Sequence, residues 1–576
     1  CSSTAIGDVV SARTVALSGD PAPGTPEGVV FTSFGSRTLN NSGHTLLTGR
    51  LGGPEVTSSN RNGLWSDASG SLALIAREGM QAPDAANVVT IKILLATPQL
   101  ADSGMVSFEA LASSGPLDFG IWGGDADGLG KIALTGTPAG IVGLDSTFSK
   151  IGKEGASIFA GPAVSATGST AFFASLAGSS SASSGRAVIK HVNGSLILAA
   201  KSGNPAPGTT HTFSSFGRSP ETIIPTINDH HQVAFFAATS SSQGIWSEGS
   251  GTLQLVARLG TPAPGTAVAF SSFGDPRINN AGRTAFAGLL TGSGVNSSNN
   301  TGIWSEGSGS LALVAREGSP AAGMGAGVVY GELVNAPLLS SDGRVAFSGP
   351  VTGGGIDADH DTAFWVETAE GVQLVAQEGM AAPGADAGVE FAPFGALSGY
   401  GYLPDHVGYA SFNSNGVLAF TAELRGTGIT SENARSIWAF DLSGRLSPIV
   451  KTGDTIEVAP GDVRTVLDAQ GTIGGGGENG NPRWFNDANE LLFVARFVDG
   501  TSGVFVTSVP AGPSGDMNCD GATDLFDVDA MVLALTDPAV YAAAYPDCPI
   551  GNGDFRHDDQ LDGRDIAGFV GALLAE

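Results

Sequence analysis

The sequence predicts an all-β fold: an eight-bladed β-propeller of four-stranded blades, closed by the N-terminal strand. A small α-helical, calcium-binding module follows it. Three observations lead there. One short pattern recurs eight times along the 576 residues. Each period holds four strand-length apolar runs separated by turn residues. After residue 514 the composition changes, and two acidic loops, each followed by apolar residues at helical spacing, close the chain.

The clearest copy of the pattern is Asn279-Asn280-Ala281-Gly282-Arg283-Thr284-Ala285-Phe286. Close copies end in Asp342-Gly343-Arg344-Val345-Ala346-Phe347, Asn415-Gly416-Val417-Leu418-Ala419-Phe420 and Thr167-Gly168-Ser169-Thr170-Ala171-Phe172. Looser ones begin near Asn41, Asp102, Asn228 and Asn486. Glycine occupies the turn at 43, 104, 168, 282, 343 and 416, with His231 and Asn489 at the two remaining places. The spacing of roughly 50 to 73 residues suits a propeller blade better than a helical solenoid repeat.

Residues 267–318 show how one period becomes a blade. Residues 267–274 read as a first strand and Arg283 to Leu289 as a second. After a Gly/Ser/Asn loop, Gly302-Ile303-Trp304-Ser305 is the third, and Leu311 to Ala315, beyond a hairpin turn, the fourth. Six of the seven tryptophans recur at this third-strand position, which marks them as fillers between adjacent blades rather than exposed stacking platforms. Fourth strands are found in seven periods. The last period ends after Gly503-Val504-Phe505-Val506, and the missing strand lies at the other end of the chain, where Arg13-Thr14-Val15-Ala16-Leu17 precedes Pro21-Ala22-Pro23-Gly24. The N-terminus should therefore complete the eighth blade, so that the ring has no unpaired closing edge. The expected organisation is a lead at 1–9, the propeller at 10–509, a linker at 510–514 and the C-terminal module at 515–576.

On these eight copies, the array resembles the bacterial tandem-repeat proteins named for an Asn-x-x-Gly-x-x-Ala-Phe motif, whose repeats precede one of several C-terminal anchoring modules. That resemblance implies a scaffold and supplies no catalytic residue.

Composition narrows the function. With 27 Lys+Arg against 55 Asp+Glu, the net charge is −28, which argues against nucleic acid as a partner. No apolar stretch is long enough for a transmembrane segment, and the surplus carboxylates could serve divalent cations. The three cysteines divide into a local pair, Cys519 and Cys548, and a lone Cys1; the expectation is one disulfide and an oxidising, extracellular or cell-surface location. A chain starting Cys-Ser-Ser looks like a bacterial lipoprotein after signal removal, with Cys1 lipidated.

Three loops depart from the repeat. Tyr400, Tyr402 and Tyr409 form a cluster, and a glycine-rich insertion from Gly474 to Arg483 ends beside Trp484; these four aromatics are the candidate ligand-binding side chains, for a polysaccharide or peptide. The acidic run at 357–361 reads as a solvated hairpin. The histidines are scattered, and no hydrolase or phosphate-loop motif is present.

The C-terminal module carries the most specific motif. Asp516, Asn518 and Asp520 stand at positions 1, 3 and 5 of a twelve-residue loop, with Gly521 at 6, the Ala522 carbonyl at 7 and Asp527 at 12. This is the ligand spacing of an EF-hand calcium loop. A second copy places Asp554, Asp558 and Asp565 at matching positions, with Arg556 and Asp559 replacing a ligand and the glycine. Val528, Met531, Val532 and Leu535 match Ile566, Phe569, Val570 and Leu573, so two helices should pack apolar faces together. With Asp closing the first loop, the module resembles a type I dockerin. The resemblance implies bound calcium and a cohesin-like partner or a cell-envelope component. A Cys519–Cys548 disulfide suits a domain this small.

The sequence thus points to an exported, non-catalytic binding or surface protein. An extracellular polysaccharide hydrolase or lyase acting at the channel mouth, or a structural surface-layer component, are the alternatives.

Overall fold

The computed structural model describes residues 9–83, 89–94, 98–113, 117–125, 128–151, 162–217, 225–368, 371–392, 394, 410–441, 444–472, 475–509, 515–519, 523–546, 548, 550–555 and 561–573. The chain divides into two compact units, Cys1–Trp438 with Pro448–Ser508, and Ala439–Ser447 with Val509–Glu576.

Eight sheets are formed among the described residues, one per sequence period. Seven lie in order along the chain, within 30–77, 90–134, 146–201, 213–258, 269–316, 328–377 and 389–450. Each is a meander in which the first strand pairs with the second, the second with the third and the third with the fourth. In the fifth blade these are Ala269–Phe273 with Arg277–Ile278, Thr284–Thr291, Thr301–Ser305 and Ala312–Arg316. The first strand is broken in two, and both pieces pair with the same edge of the second.

The eighth sheet closes the ring as the sequence predicts. Ala12–Leu17 lies antiparallel to Ser502–Ser508, with Arg13 opposite Val506 and Ala16 opposite Val504. The N-terminal segment is also pinned by a feature the sequence did not suggest. Val9–Val10 pairs in parallel with an extra strand, Thr455–Ala459, making this sheet six-stranded.

Apolar clusters fill the gaps between successive sheets. One joins Ala287, Ile303 and Ala315 of the fifth blade to Tyr330, Phe347 and Trp365 of the sixth, and equivalent clusters join the first to the second and the third to the fourth. The third-strand tryptophans are fully buried in these gaps. Trp304 meets Phe270 of its own first strand edge-on at 4.9 Å, and Trp65, Trp246, Trp365 and Trp438 repeat this with Phe31, Phe213, Tyr330 and Phe391. A buried indole N–H needs an acceptor. The connector supplies it: Trp65, Trp122, Trp246 and Trp304 donate to the carbonyls of Pro23, Pro83, Pro207 and Pro264 at 2.9–3.0 Å. The proline-rich connectors are thereby fixed to the blade they introduce.

The recurring turn holds neighbouring blades together. All eight turn positions have left-handed backbone, including His231 (φ 62°) and Asn489 (φ 57°). These two non-glycine side chains offset the conformational cost by reaching a neighbouring blade: His231 Nδ1 meets Ser169 Oγ at 2.8 Å, and Asn489 Oδ1 accepts from Asn413 Nδ2 at 2.9 Å. The asparagine that opens five of the turns works in two directions. Asn279 Oδ1 accepts from Arg283 N within its own turn, while its Nδ2 donates to the Ser340 carbonyl of the next blade at 2.9 Å. Asn40, Asn228, Asn413 and Asn486 likewise donate to the carbonyls of Ala101, Asn279, Asn486 and Asn40. The last of these crosses the ring closure.

We expect Asn279→Ala to destabilise the propeller by about 2 kcal/mol or more, because the buried Ser340 carbonyl and the Arg283 amide both lose a partner; the urea midpoint measures this. Deleting residues 9–17 should leave the Ser502–Ser508 edge unpaired and produce concentration-dependent association on size-exclusion chromatography with light scattering.

Candidate functional site

Several of the carboxylates that looked available for cations are committed to backbone groups. An acid at the end of the third strand or just after it accepts from the first amide of the second: Glu248 from Val233, Glu306 from Thr284 and Glu367 from Val345. An acid just after the fourth strand serves the start of the third: Glu78 accepts from Asn62 N, and Glu317 from the amides of Asn300 and Thr301. Burial pushes the Glu306 and Glu367 carboxyls above their usual range. The acidic composition is therefore partly structural. A periodic search that included the residue after each strand would have found it.

The glycine-rich insertion beside Trp484 crosses the propeller axis. Its backbone carbonyls serve the innermost strands of four blades: Gly475 accepts from Phe412 N, Asn479 from Ile227 N, Gly480 from Val164 N and Arg483 from Leu39 N, at 2.8–3.1 Å. These amides face the axis and would otherwise be unpaired edges. Glycine is required by proximity: a Cβ on Gly480 would lie 2.8 Å from the Ile227 side chain and 3.0 Å from its carbonyl. Trp484 itself is 0% exposed, so it is a core side chain and not the exposed platform expected from sequence. Tyr400, Tyr402 and Tyr409, predicted beside it as ligand-binding residues, lie outside the described residues, as does Cys1.

Between this axial plug and the recurring turns lies a cavity of about 90 Å³. The second residues of the turns form a ring, seven of the eight with the backbone N–H bonded to the next blade, and Asn41, Ala166, Asp229, Asn280 and Asp487 of this ring line the cavity. Asn41 N donates to Asp102 Oδ1, Asp102 N to the Ala166 carbonyl, Ala166 N to Asp229 Oδ1 and Asp229 N to Asn280 Oδ1. Ser341 N donates to the Ser414 carbonyl, Ser414 N to Asp487 Oδ1 and Asp487 N back to Asn41 Oδ1. The sequence breaks once, at Asn280, whose N–H donates instead to Glu478 Oε2 of the plug at 2.7 Å. Burial, with the charges of Asp229 and Asp487 adding to it, raises the Glu478 carboxyl above its ordinary value. Arg483 is spoken for, bonded to Asp102 and to the Leu39 carbonyl.

Among its described residues the C-terminal unit has three short α-helices: α1 (Asp527–Thr536), α2 (Pro538–Ala544) and α3 (Ile566–Leu573). A disulfide joins Cys519 to Cys548. Asp527, at the head of α1, is fully buried, and its carboxylate gathers the loop before it. Oδ1 accepts from the amides of Met517 and Asn518 at 2.6 and 2.9 Å, and Oδ2 from Asp524 N at 2.9 Å. The second copy repeats the last contact, Asp565 Oδ2 accepting from Asp562 N at 2.9 Å, and both Asp565 and Asp554 are buried. Asp516 and Asn518 begin the first loop; Asp520, Ala522 and Asp558, with Arg556 and Asp559, lie outside the described residues.

The helix pairing differs from expectation. Met531 and Phe569 are buried in one cluster with Met517, Ala530, Ala534 and Tyr541. Val532, Ile566 and Val570, expected in that interface, are exposed. The short helix α2, which had no sequence signal, takes their place: Tyr541 is buried and its hydroxyl donates to the Met517 carbonyl at 3.0 Å.

The acidic run at 357–361 forms an exposed turn in which His360 Nδ1 meets Asp357 Oδ1 at 2.6 Å. Glu109 is a buried carboxyl opposite Ile121 on the second blade, and so faces the apolar cluster shared with the third. Burial pushes it up to about 8.

A family model described as "Family of unknown function (DUF7453)" matches residues 4–110, 89–243 and 238–515. No curated protein matches the chain. Among solved structures the chain is similar to the β-propeller domain of the Trilobed protease from Pyrococcus furiosus (9% identity, 72% of this chain and 95% of that one, TM-score 0.33). It is also similar to the Dos1 propeller (10%, 88% and 96%, TM-score 0.33) and to the WD40 domain of SCAP from fission yeast (10%, 88% and 99%, TM-score 0.32).

Glu109 gives a pH prediction. Its folded value lies above its unfolded one, so the native state holds an extra proton between about pH 4.5 and 8 and stability falls as pH rises through that window, by about 3 kcal/mol at pH 7. Urea midpoints of Glu109→Gln across the same range should show that slope reduced, whatever the variant's offset.

Proposed function

We propose, for a chain that belongs to the DUF7453 family of unknown function, that it is an exported, non-catalytic binding protein. The propeller is a rigid scaffold presenting loops, and the C-terminal unit is a calcium-braced, dockerin-like module that attaches it to a cohesin-like protein or a cell-envelope component. The observation that carries this reading is the fully buried Asp527 carboxylate drawing three backbone amides of the 516–527 loop around itself, with the Asp562–Asp565 contact as its echo.

The donor set fits a hard cation. Asp516, Asn518, Asp520 and Asp527 offer side-chain oxygens and Ala522 a carbonyl, at the loop positions calcium uses. Calcium would supply charge compensation there and lock the head of α1. In the second loop Asp554, Asp558 and Asp565 would hold an ion less completely, because Arg556 stands where a ligand belongs. A docking face is at hand: Leu525 and Phe526, 80% and 76% exposed at the head of α1, are large apolar side chains presented to solvent.

Calorimetry on the EDTA-treated full chain tests the brace. Calcium should bind, protect the C-terminal unit from limited proteolysis, and lose its tighter site in Asp516→Ala. An absence of calcium heat in the unmodified protein would end this reading. With calcium bound, Phe526→Asp should abolish capture by immobilised cohesin-like modules.

A further inference from the structure

The axial cavity has a chemical character that the ring around it does not account for. Thr38 lines it at 2% exposed, and its hydroxyl has no hydrogen-bond partner among the described residues. Gln99 lines it at 4% exposed, and no hydrogen bond of its side-chain amide is formed among them. Buried polar groups are rarely left unpaired, and those that are point to a water or ligand in the adjoining space. Three carboxylates share the wall: Asp229, Glu478 and Asp487. Asp229 uses both oxygens, on Ala166 N and Asn280 Nδ2. Glu478 bonds Asn280 N through Oε2, and Asp487 bonds Ser414 N through Oδ1. Both side chains line the cavity. The one cation in the wall, Arg483, is paired with Asp102. The field in the cavity is therefore negative, and like carboxylates held together with little solvent favour a compensating cation.

Size narrows the class. A space of about 90 Å³ admits several waters or a ligand of a few heavy atoms. We propose that this cavity binds a small organic ammonium ion, its N–H groups on Glu478 and Asp487. The unpaired hydroxyl and amide serve as further acceptors for the same group. This site is independent of the calcium loop, and neither reading needs the other.

The test is isothermal titration of the full chain with methylammonium chloride at pH 8, with calcium saturating throughout so that the C-terminal loop contributes nothing. Tetramethylammonium, which has no N–H, and glycerol, which has no charge, are the controls. One methylammonium per chain is expected, with no matching heat from either control. Glu478→Gln should weaken binding about tenfold or more, as removal of a desolvated charge partner does. Thr38→Val, whose hydroxyl bonds nothing else, should weaken it less while leaving the urea midpoint in place, so a loss caused by misfolding of Glu478→Gln is told apart from loss of the site. Equal heats for methylammonium and tetramethylammonium, unchanged binding in Glu478→Gln with its fold intact, or displacement of methylammonium by millimolar magnesium would each overturn the proposal.

Discussion

The propeller depends on one contact made repeatedly: a side-chain amide or carboxylate in the tight turn of one blade bonds the turn backbone of the next. Sheets packed face to face on apolar side chains alone can slide, because burial is indifferent to register. A directional bond between turns fixes the rotation of each blade against its neighbour. Asn279 does this through both ends of its amide, and Asn486 carries the same bond across the closure to Asn40. Where the opening residue is Ala101, Ser165 or Ser340, the second turn residue supplies a link through its backbone N–H, so no blade in the ring is held by packing only.

The axial plug extends the same logic to the inner edges. Four blades offer amides toward the axis, and a single glycine-rich strip answers them with carbonyls. Because Glu478 of that strip also completes the turn ring at Asn280, plug and ring form one hydrogen-bonded system. The cavity between them inherits its acidity from groups whose first task is structural.

Much of the fold was legible. The eightfold period, the four runs per period and the orphan strand at the N-terminus predicted the sheets and their closure, and the fixed place of the tryptophans predicted their burial. The site was less so. The inter-blade bonds join residues some 50 to 76 positions apart, a separation no local pattern encodes. The plug has no periodicity to read, and its tyrosine-like promise at Trp484 dissolved because that ring packs inward over Gly471. The acids after each strand were visible but looked like surplus charge, since only the fold shows which amides they serve. In the C-terminal unit, helical spacing found Met531 and Phe569 but placed Val532 and Val570 with them; two short helices cannot bury a full stripe when a third element, carrying Tyr541, competes for the same core.

The closing sheet also sets a schedule for biogenesis. Ser18 and Ser502, bonded across the seam, are 484 residues apart. At ~5–20 residues per second, the first-made strand waits on the order of tens of seconds for its partner to leave the ribosome. During that interval seven blades can collapse locally while the eighth stays open, so the strand Ala12–Leu17 is the last to be secured. A nascent chain of this design gains from a holdase, or from delayed compaction, until its final strand arrives.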